Sequence, residues 1–398
     1  MDGAYNGYSK GQSKAQALRA GGKAPVREAL LDIRRDTLVL AGAYARALES
    51  NGMQVAYAPQ VNPPLWELGH VGWFQDYWIS RNRQRALGVR CEPAHERDPS
   101  ALEHADRWYD SGRVEHSSRW ALPLPDTQNT RVYLDATLER TLDLLDALVD
   151  DPGSDALYFF RLVAVHEAMH VEAAIYMAKG LGVELGGAPA QTEQGIPGRC
   201  SELELPAQIF RLGAAGDGFA FDNELGPHDV ALGAFRIDTR PVSRSRFGEF
   251  VQAHGYEQRR WWSDAGWEWL RSKGRPQCDV QDASQAAGPA LHLTAYEADA
   301  WCRWAGRRLP TEAEWECAAL TVPGFVWGSV WEWTASSFQP YPGFAAHPYR
   351  DYSQPWFGTR RVLRGSSEAS SPWLAHPRYR NFFEPHRSDI FAGFRSCA

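Results

Sequence analysis

Apolar positions recur at steps of three and four residues through most of the first half of the chain, which is the spacing of an amphipathic helix. Between Pro25 and Gly52 one such face is formed by Leu30, Ile33, Thr37, Leu40, Tyr44 and Leu48. Proline suits a first helical turn and glycine suits a helix end. A long helix is therefore predicted between Pro25 and Gly52.

The same spacing predicts three further long helices. The second begins near Pro64, the third follows Asp126 and Thr127, and the fourth opens at Ser154 and stops at Gly180. Four long helices with one long connection, at about residues 90–125, are typical of an up-and-down bundle. Metal sites are common in bundle cores, where side chains of facing helices meet.

The pattern changes after about residue 182, where a stretch rich in Gly and Pro indicates a linker. Beyond it lie short β-like runs at 207–213, 218–224 and 228–238, two helical patterns at 243–255 and 294–307, and long aromatic loops. We therefore expect an α+β multidomain protein. Its parts would be a disordered or loosely packed N-terminus at 1–25, a helix bundle at 26–182, a linker at 183–200 and a loop-rich mixed α/β domain at 201–398.

Composition excludes several classes of protein. The chain has 398 residues, a net charge of −7 and no Lys/Arg run, so the electrostatic footprint of a nucleic-acid-binding protein is missing. The start is polar, unlike a signal peptide, and no stretch approaches the ~18 apolar residues of a membrane span. The six cysteines are scattered, which is typical of reduced thiols. We expect a cytoplasmic protein with no nucleic-acid or membrane partner, and the oligomeric state stays open.

The sharpest chemical motif is His166-Glu167-Ala168-Met169-His170. Residues four apart share a helix face, so both imidazoles can point at one metal ion; two buried histidines held by hydrogen bonds are the alternative. The motif also matches the H-E-x-x-H pattern of zinc proteases. One protease form needs Gly where Ala173 stands, and the other needs a downstream Glu on a further helix. A zinc metalloprotease is therefore a remote alternative.

A third ligand is expected upstream, at His70 on the second predicted helix. Gly69 and Gly72 lie beside it, although glycine costs a helix roughly 1 kcal/mol per residue. Small residues next to a histidine indicate that a ligand or another backbone comes close. Three imidazoles without a carboxylate suit zinc, iron or copper, and the spacing does not choose between them.

These motifs together resemble a known family. His70 in a GHxxWF segment, followed by His166-x3-His170-x-Glu172, resembles the DinB-like four-helix bundle of the ergothioneine-pathway sulfoxide synthases. GRRLPTEAEWECAA, VWEWTASSFQPYPGF and RYRNFFEPHR resemble the formylglycine-generating-enzyme-like (C-type-lectin-like) domain of the same enzymes. The resemblance runs from about residue 26 to the end. It implies a non-haem Fe(2+) ion held by the three histidines, hercynine (trimethylated histidine) as substrate and O2 as co-substrate.

The resemblance also implies roles for residues outside the metal ligands. Asn381 and Phe382 match the hercynine-binding segment of the family. Phe383 follows them, and Met169 stands where relatives have Gln, so we expect all four to contact the substrates.

A tyrosine hydroxyl is expected to deliver a proton during catalysis. Tyr109 matches a tyrosine of the bundle connection, and Tyr341 lies in a loop where some relatives place a catalytic tyrosine. The sequence favours Tyr109.

Departures from the family indicate the second substrate, the chalcogen donor. Relatives that use γ-glutamylcysteine have Asp where this chain has Phe383, and more positive charge in the segment matching 108–120. The changes suit a neutral, hydroxyl-rich donor, as in the selenoneine synthase branch, which takes a selenosugar. We therefore expect C–Se bond formation at the imidazole C2 of hercynine. The alternatives are a sulfoxide synthase that uses cysteine or another thiol and, more remotely, a non-catalytic metal- or ligand-binding protein.

Overall fold

The computed structural model describes residues 10–186, 200–216, 218–273 and 286–398. The first half is helical, with α1 (Lys10–Ala20), α2 (Lys23–Ala47), α3 (Pro64–Gln75), α4 (Ala105–Tyr109), α5 (Thr127–Asp146) and α6 (Ser154–Gly180). The four predicted long helices are confirmed as α2, α3, α5 and α6. Their starts follow local chemistry: Pro64 is the first residue of α3, and the Asp126 side chain caps α5 by accepting from the backbone N–H of Asn129 at 2.8 Å.

Residues 10–20 differ from the expectation of a loosely packed N-terminus. They form α1, in which Ala15 and Leu18 are fully buried. Arg19, in the last turn of this helix, forms a buried ion pair with Glu224 of the second half at 2.5 Å. The ordering depends on a partner far away in the sequence, so no local pattern indicates it. Residues 1–9 lie outside the described part of the chain.

The helix that carries His70 does not end regularly. α3 continues into one turn of π-helix at Asp76–Ser80, a geometry that often accompanies functional sites. The chain then enters the bundle connection, residues 90–125, which contains α4 and a 3₁₀ helix at His116–Ala121. This connection packs back onto α3 and contributes the carbonyl groups that hold its side chains.

Within the described residues, the second half contains short strands and four α-helices. The helices are α7 (Arg244–Gln252), α8 (Asp264–Lys273), α9 (Ala295–Trp304) and α10 (Glu312–Thr321). The strands are β1 (Glu202–Leu205), β2 (Gln208–Leu212), β3 (His228–Leu232), β4 (Phe235–Asp238), β5 (Trp331–Ser337), β6 (Arg361–Gly365), β7 (Asn381–Phe383) and β8 (Ala392–Gly393). β1 pairs with β4 and β2 with β3, both antiparallel, while a four-stranded sheet has the order β7-β6-β5-β8 with β5 and β8 parallel.

The predicted elements of this domain are confirmed in part. The runs at 207–213 and 228–238 contain β2, β3 and β4, and the two helical patterns contain α7 and α9. The run at 218–224 is not a strand, because its end forms a 3₁₀ helix at Asp222–Glu224 whose three residues are buried. There the Glu224 carboxylate pairs with Arg19. α8 and α10 were not predicted.

The two halves are joined through α6. The carboxylate of Glu172 accepts hydrogen bonds from Trp331 Nε1 at 2.6 Å, Ser367 Oγ at 2.6 Å and Ser370 Oγ at 2.8 Å. These donors belong to the second half, so the helix that bears two of the histidines is fixed directly to the other domain. Most of the predicted linker, residues 187–199, lies outside the described part of the chain.

The described residues bear on the expectations about membrane spans and about reduced cysteines. Within them no helix has the length and apolar character needed to cross a membrane. The five cysteines in this part of the chain, Cys91, Cys200, Cys302, Cys317 and Cys397, are free thiols, and Cys278 lies outside it.

Candidate metal centre

Three histidines converge in the core of the bundle. α3 supplies His70, and α6 supplies His166 and His170, one turn apart. One ring nitrogen from each lies within 4.8 Å of the others. In the described part of the chain this is the one group of three or more His, Cys, Asp or Glu side chains placed to share a metal ion. His70 and His166 are each only 3% exposed.

Hydrogen bonds fix which nitrogen of two rings can bind a metal. His70 Nδ1 donates to the backbone carbonyl of Tyr109 at 2.8 Å, and His170 Nδ1 donates to the carboxylate of Glu67. A carbonyl and a carboxylate only accept, so both rings carry the proton on Nδ1 and present a lone pair at Nε2. His166 Nε2 lies 3.2 Å from His170 Nε2. Converging lone pairs with oriented rings are the arrangement of a protein metal site, so the residues fit a bound cation.

Burial keeps the imidazoles of His70 and His166 neutral, as metal binding requires. Burial, with the neighbouring His170, lowers the pKa of His70 to about 3, and burial lowers the pKa of His166 well below its ordinary value. Burial opposes ionisation of Glu67, but its contacts with His170 outweigh this and lower the pKa of Glu67 to about 2. An anionic carboxylate therefore accepts the hydrogen bond that orients the His170 ring.

Aromatic rings hold the imidazoles in place. Phe74 stacks on His166 with ring centroids 3.5 Å apart, and Trp66 stacks on His70 with centroids 4.8 Å apart. Trp66 Nε1 donates to the carbonyl of Trp108 at 2.6 Å, so the bundle connection fixes this ring as well. Contacts within the protein therefore set the orientations of the His70 and His166 rings.

A small aromatic cavity lies beside the histidine helix. It has a volume of ≈ 110 Å³ and includes Met169 of α6. The other residues that line it are Glu172, Tyr176, Trp331, Leu374, Tyr379, Asn381, Phe383 and Ile390. Three of the four predicted substrate-binding residues, Met169, Asn381 and Phe383, therefore share one cavity.

Phe382 does not line this cavity. Its ring stacks on Phe338 at 4.1 Å between centroids and lies edge-on to Tyr352 at 5.7 Å. Successive residues of a strand point to opposite faces, so within β7 Phe382 faces away from Asn381 and Phe383. Its place is in the packing behind the cavity wall.

The second cavity is larger and approaches the histidines from another side. It has a volume of ≈ 610 Å³, and Phe74 and Tyr349 form part of its wall. The ring centroid of Tyr349 lies 4.9 Å from that of Phe74 and 6.1 Å from that of His166. Burial and nearby acidic groups raise the pKa of Tyr349, so its hydroxyl is protonated at neutral pH.

The two tyrosines singled out by sequence occupy other positions. Tyr109 is fully buried, its ring packs over Gly69, and its hydroxyl has no hydrogen-bond partner among the described residues. A Cβ at Gly69 would lie 2.1 Å from that ring, which explains the glycine. The hydroxyl of Tyr341 donates to Glu312 at 3.0 Å and accepts from Arg364 at 3.1 Å, within a buried ion-pair network.

Sequence reasoning missed Tyr349 and Glu67. Tyr349 is one of 15 tyrosines, and no local feature separates it from the others. Glu67 lies three residues before His70, so the sequence could have placed both side chains on the same helix face. Its hydrogen-bond partner His170 belongs to another helix, and this contact could not be predicted from spacing. Glu172, which closes the histidine motif, contacts the second domain through Trp331.

Comparisons with known proteins agree with this architecture. Residues 31–174 match the DinB superfamily, and residues 200–324 and 325–398 match the sulfatase-modifying factor enzyme 1-like domain. The chain therefore combines a DinB-type bundle with a formylglycine-generating-enzyme-like domain around a histidine cluster.

Two relatives match most of the chain, and a third matches half of it. The chain is 33% identical to the hercynine oxygenase of Mycolicibacterium smegmatis, over 85% of this chain and 91% of the relative. It is 31% identical to the hercynine oxygenase of Mycolicibacterium thermoresistibile, over 94% of both chains. The formylglycine-generating enzyme of Streptomyces coelicolor is 29% identical over 50% of this chain and 88% of that relative. The chain belongs to the ergothioneine-pathway family of DinB/formylglycine-generating-enzyme-like enzymes, as the sequence motifs predicted.

Proposed function

We propose that this protein is an Fe(2+)- and O2-dependent enzyme that joins the selenium of a selenosugar to the imidazole C2 of hercynine. His70, His166 and His170 would hold the ion. The names of the two hercynine oxygenase relatives support hercynine as one substrate. The choice of metal, donor and chalcogen rests on the chemistry of the site and on the resemblance described above.

The aromatic cavity of ≈ 110 Å³ is the observation that carries hercynine binding. Four aromatic side chains line it, and the Glu172 carboxylate lies among them. A quaternary ammonium group is held best by ring faces in a site that excludes water. The aromatic residues are Tyr176, Trp331, Tyr379 and Phe383. Hercynine carries such a group, and Met169 connects this cavity to the histidine helix.

The histidine set supports a redox-active ion. Three neutral imidazoles suit iron as well as zinc or copper, and six-coordinate iron keeps further positions available for small molecules. When bound, Fe(2+) would supply a centre at which the donor and dioxygen react with the imidazole of hercynine. The protein's own contribution is orientation, because Phe74 and Trp66 fix the ligand rings and the cavity walls fix the substrate.

The larger cavity supports a neutral, hydroxyl-rich donor. Its lining has a balanced charge, with four arginines and four acids: Arg81, Arg97, Arg113, Arg350, Glu96, Asp106, Asp110 and Asp351. The guanidinium of Arg97 lies over the ring of Tyr77, with its carbon 4.5 Å from the ring centroid. Trp73 and Tyr77 add aromatic faces. A sugar matches this mixture better than a charged peptide does.

Tyr349 is the proton donor that the geometry supports. It lies between the larger cavity and His166, and burial keeps its hydroxyl protonated. Tyr109 and Tyr341 hold positions in packing and in an ion-pair network instead. We therefore assign the delivery of a proton at the reacting centre to the Tyr349 hydroxyl.

A competition assay tests the donor. Iron-loaded protein is incubated with hercynine, O2 and equimolar selenosugar, cysteine and γ-glutamylcysteine, and the products are resolved by mass spectrometry. We expect the selenosugar product to dominate. Preference for cysteine would support the sulfur alternative, and preference for γ-glutamylcysteine would refute the donor assignment. Hercynine binding without any product would indicate a binding protein, and turnover without oxygen would exclude the oxidative reaction.

A further inference from the structure

Arg119 of the bundle connection lies close to two metal-ligand assemblies. Its guanidinium carbon is 4.0 Å from the ring centroid of Trp66, and its Nη1 donates to Asn62 Oδ1 at 2.7 Å. Its Nη2 donates to the carbonyl of Val114 at 3.2 Å, and its Nε is buried without a hydrogen-bond partner in the described residues. The nearest acidic partner of Arg119 in this set of contacts is Glu67, which lies beyond Asn62 and interacts with the guanidinium electrostatically.

One set of contacts leads from Arg119 to His170. Asn62 accepts from Arg119, and its Nδ2 donates to Glu67 Oε1 at 2.5 Å. The other carboxylate oxygen of Glu67 accepts from His170 Nδ1. Only two side chains therefore separate the guanidinium from a predicted ligand. A carboxylate that accepts from a histidine increases the electron donation of that ring to a bound metal, and a cation beyond the carboxylate reduces this effect.

A second set of contacts leads from Arg119 to His70. Trp66 contacts both residues, with the Arg119 guanidinium carbon 4.0 Å and the His70 ring centroid 4.8 Å from its ring centroids. The planes of Trp66 and His70 are inclined by only 9°. The guanidinium thus faces an aromatic ring that is itself stacked on a ligand. Arg119 is thus connected through intervening side chains to His70 on α3 and to His170 on α6, although it belongs to neither helix.

We propose that Arg119 is a positioning residue that stabilises the reduced state of the bound iron. This inference rests on the proposed function, in which the ion is Fe(2+). A fixed positive charge near a metal site disfavours the oxidation state with the higher positive charge. Arg119 also weakens the donation that Glu67 promotes through His170. The reduced ion then persists in air until both substrates are bound.

The proposal is tested on the full-length, iron-loaded protein. Arg119→Met removes the charge and keeps most of the stem that packs on Trp66. Arg119→Lys keeps the charge and removes the planar guanidinium. Arg246→Met is the matched control, because Arg246 lies over Trp301 at 5.1 Å in the second domain. Each protein is examined by spectroelectrochemical titration of the iron and by its rate of oxidation in air without substrates.

We expect the midpoint potential to fall in Arg119→Met and the oxidation in air to become several-fold faster. Arg119→Lys should stay near the wild type, and Arg246→Met should not differ from it. Equal potentials in wild type and Arg119→Met would overturn the proposal. If Arg119→Met does not fold, Asn62→Leu tests the same contacts, because it disconnects Arg119 from Glu67. A smaller fall in potential is expected there, and no fall would overturn the proposal.

These outcomes separate the inference from the proposed function. A wild type that makes no product, with a lower potential in Arg119→Met, would support the role of Arg119 and overturn the proposed reaction. An active wild type with identical potentials in all variants would overturn the role of Arg119 alone.

Discussion

The ring of Phe74 lies parallel to the imidazole of His166, with centroids 3.5 Å apart and planes inclined by 4°. Phe74 belongs to α3 and His166 to α6. Phe74 also comes four residues after His70, on the same face of its helix. One helix therefore supplies a predicted ligand and also fixes the orientation of a ligand on its neighbour.

Replacing Phe74 tests this orientation. We expect Phe74→Leu to fold with a loss of about 1 kcal/mol, because the substitution nearly conserves apolar volume. Metal should dissociate faster, since the His166 ring gains rotational freedom. Chelator competition measures the dissociation rate. Phe338→Leu is the matched control, because Phe338 is buried and stacked on Phe382. The same dissociation rate in both variants would contradict the role of Phe74.

Removing a histidine tests the metal assignment itself. His166→Ala and His170→Ala should each lose the ability to retain iron, because two imidazoles hold a divalent ion far less well than three. Elemental analysis of the purified proteins measures the occupancy. His228→Ala is the control, since His228 contacts Tyr341 and the carbonyl of Gly226. Full iron occupancy in either ligand variant would show that the ion binds elsewhere.

Three tyrosine variants identify the proton donor. Tyr349→Phe should lower kcat by about 10²-fold or more, which is typical of the loss of a general acid. Tyr109→Phe and Tyr341→Phe should retain most of the activity, because those hydroxyls are placed away from the larger cavity. Steady-state kinetics at saturating substrates compares the three. A severe loss in Tyr109→Phe with normal folding would restore the assignment that the sequence favoured.

The stability of the second domain should depend on pH through Glu297. This buried carboxylate accepts from Tyr256 Oη at 2.6 Å and from the Thr294 N–H and Oγ1 at 2.8 Å each. Burial nevertheless raises its pKa above the ordinary value of 4.5. A carboxyl whose pKa is raised by folding stabilises the fold below its unfolded-state pKa, and this contribution is lost as pH rises through the folded-state pKa.

We therefore expect the free energy of unfolding of the wild type to fall relative to Glu297→Gln as pH rises from about 4 towards 8, by about 1.4 kcal/mol for each unit of pKa difference. Urea unfolding across this range measures both proteins. Parallel pH profiles would show that Glu297 has the same pKa in the folded and unfolded states.

The four long helices of the bundle could be predicted because the sequence of each contains local features typical of a helix. The apolar face of α2 and the Asp126 cap of α5 are local features, and they fix helix positions without knowledge of the fold. α1 was missed because its order depends on Arg19 reaching Glu224. The end of the run at 218–224 was wrongly predicted as a strand. The two-residue alternation used to predict strands gives no sign that Glu224 is buried in its ion pair with Arg19.

The residues of the site likewise include some that the sequence could predict and some that it could not. His166 and His170 follow from helical spacing, and Asn381 and Phe383 were found through family motifs. The placement of Tyr349 depends on how a loop of the second domain packs against Phe74, which no spacing rule reports. Phe382 was grouped with its neighbours in sequence, but strand alternation turns it towards Phe338.

Glu172 joins the halves of the chain at the histidine helix, and this has a consequence for how the enzyme can diversify. The predicted ligands all come from the bundle, while much of the wall around them comes from the other domain. Separating the halves would remove most of the wall of the proposed hercynine cavity from the helix that carries His166 and His170. The larger cavity, proposed for the donor, is lined mainly by residues of the first half and would stay with the histidines. Exchange of the second domain would therefore change the proposed hercynine cavity and leave most of the proposed donor cavity in place.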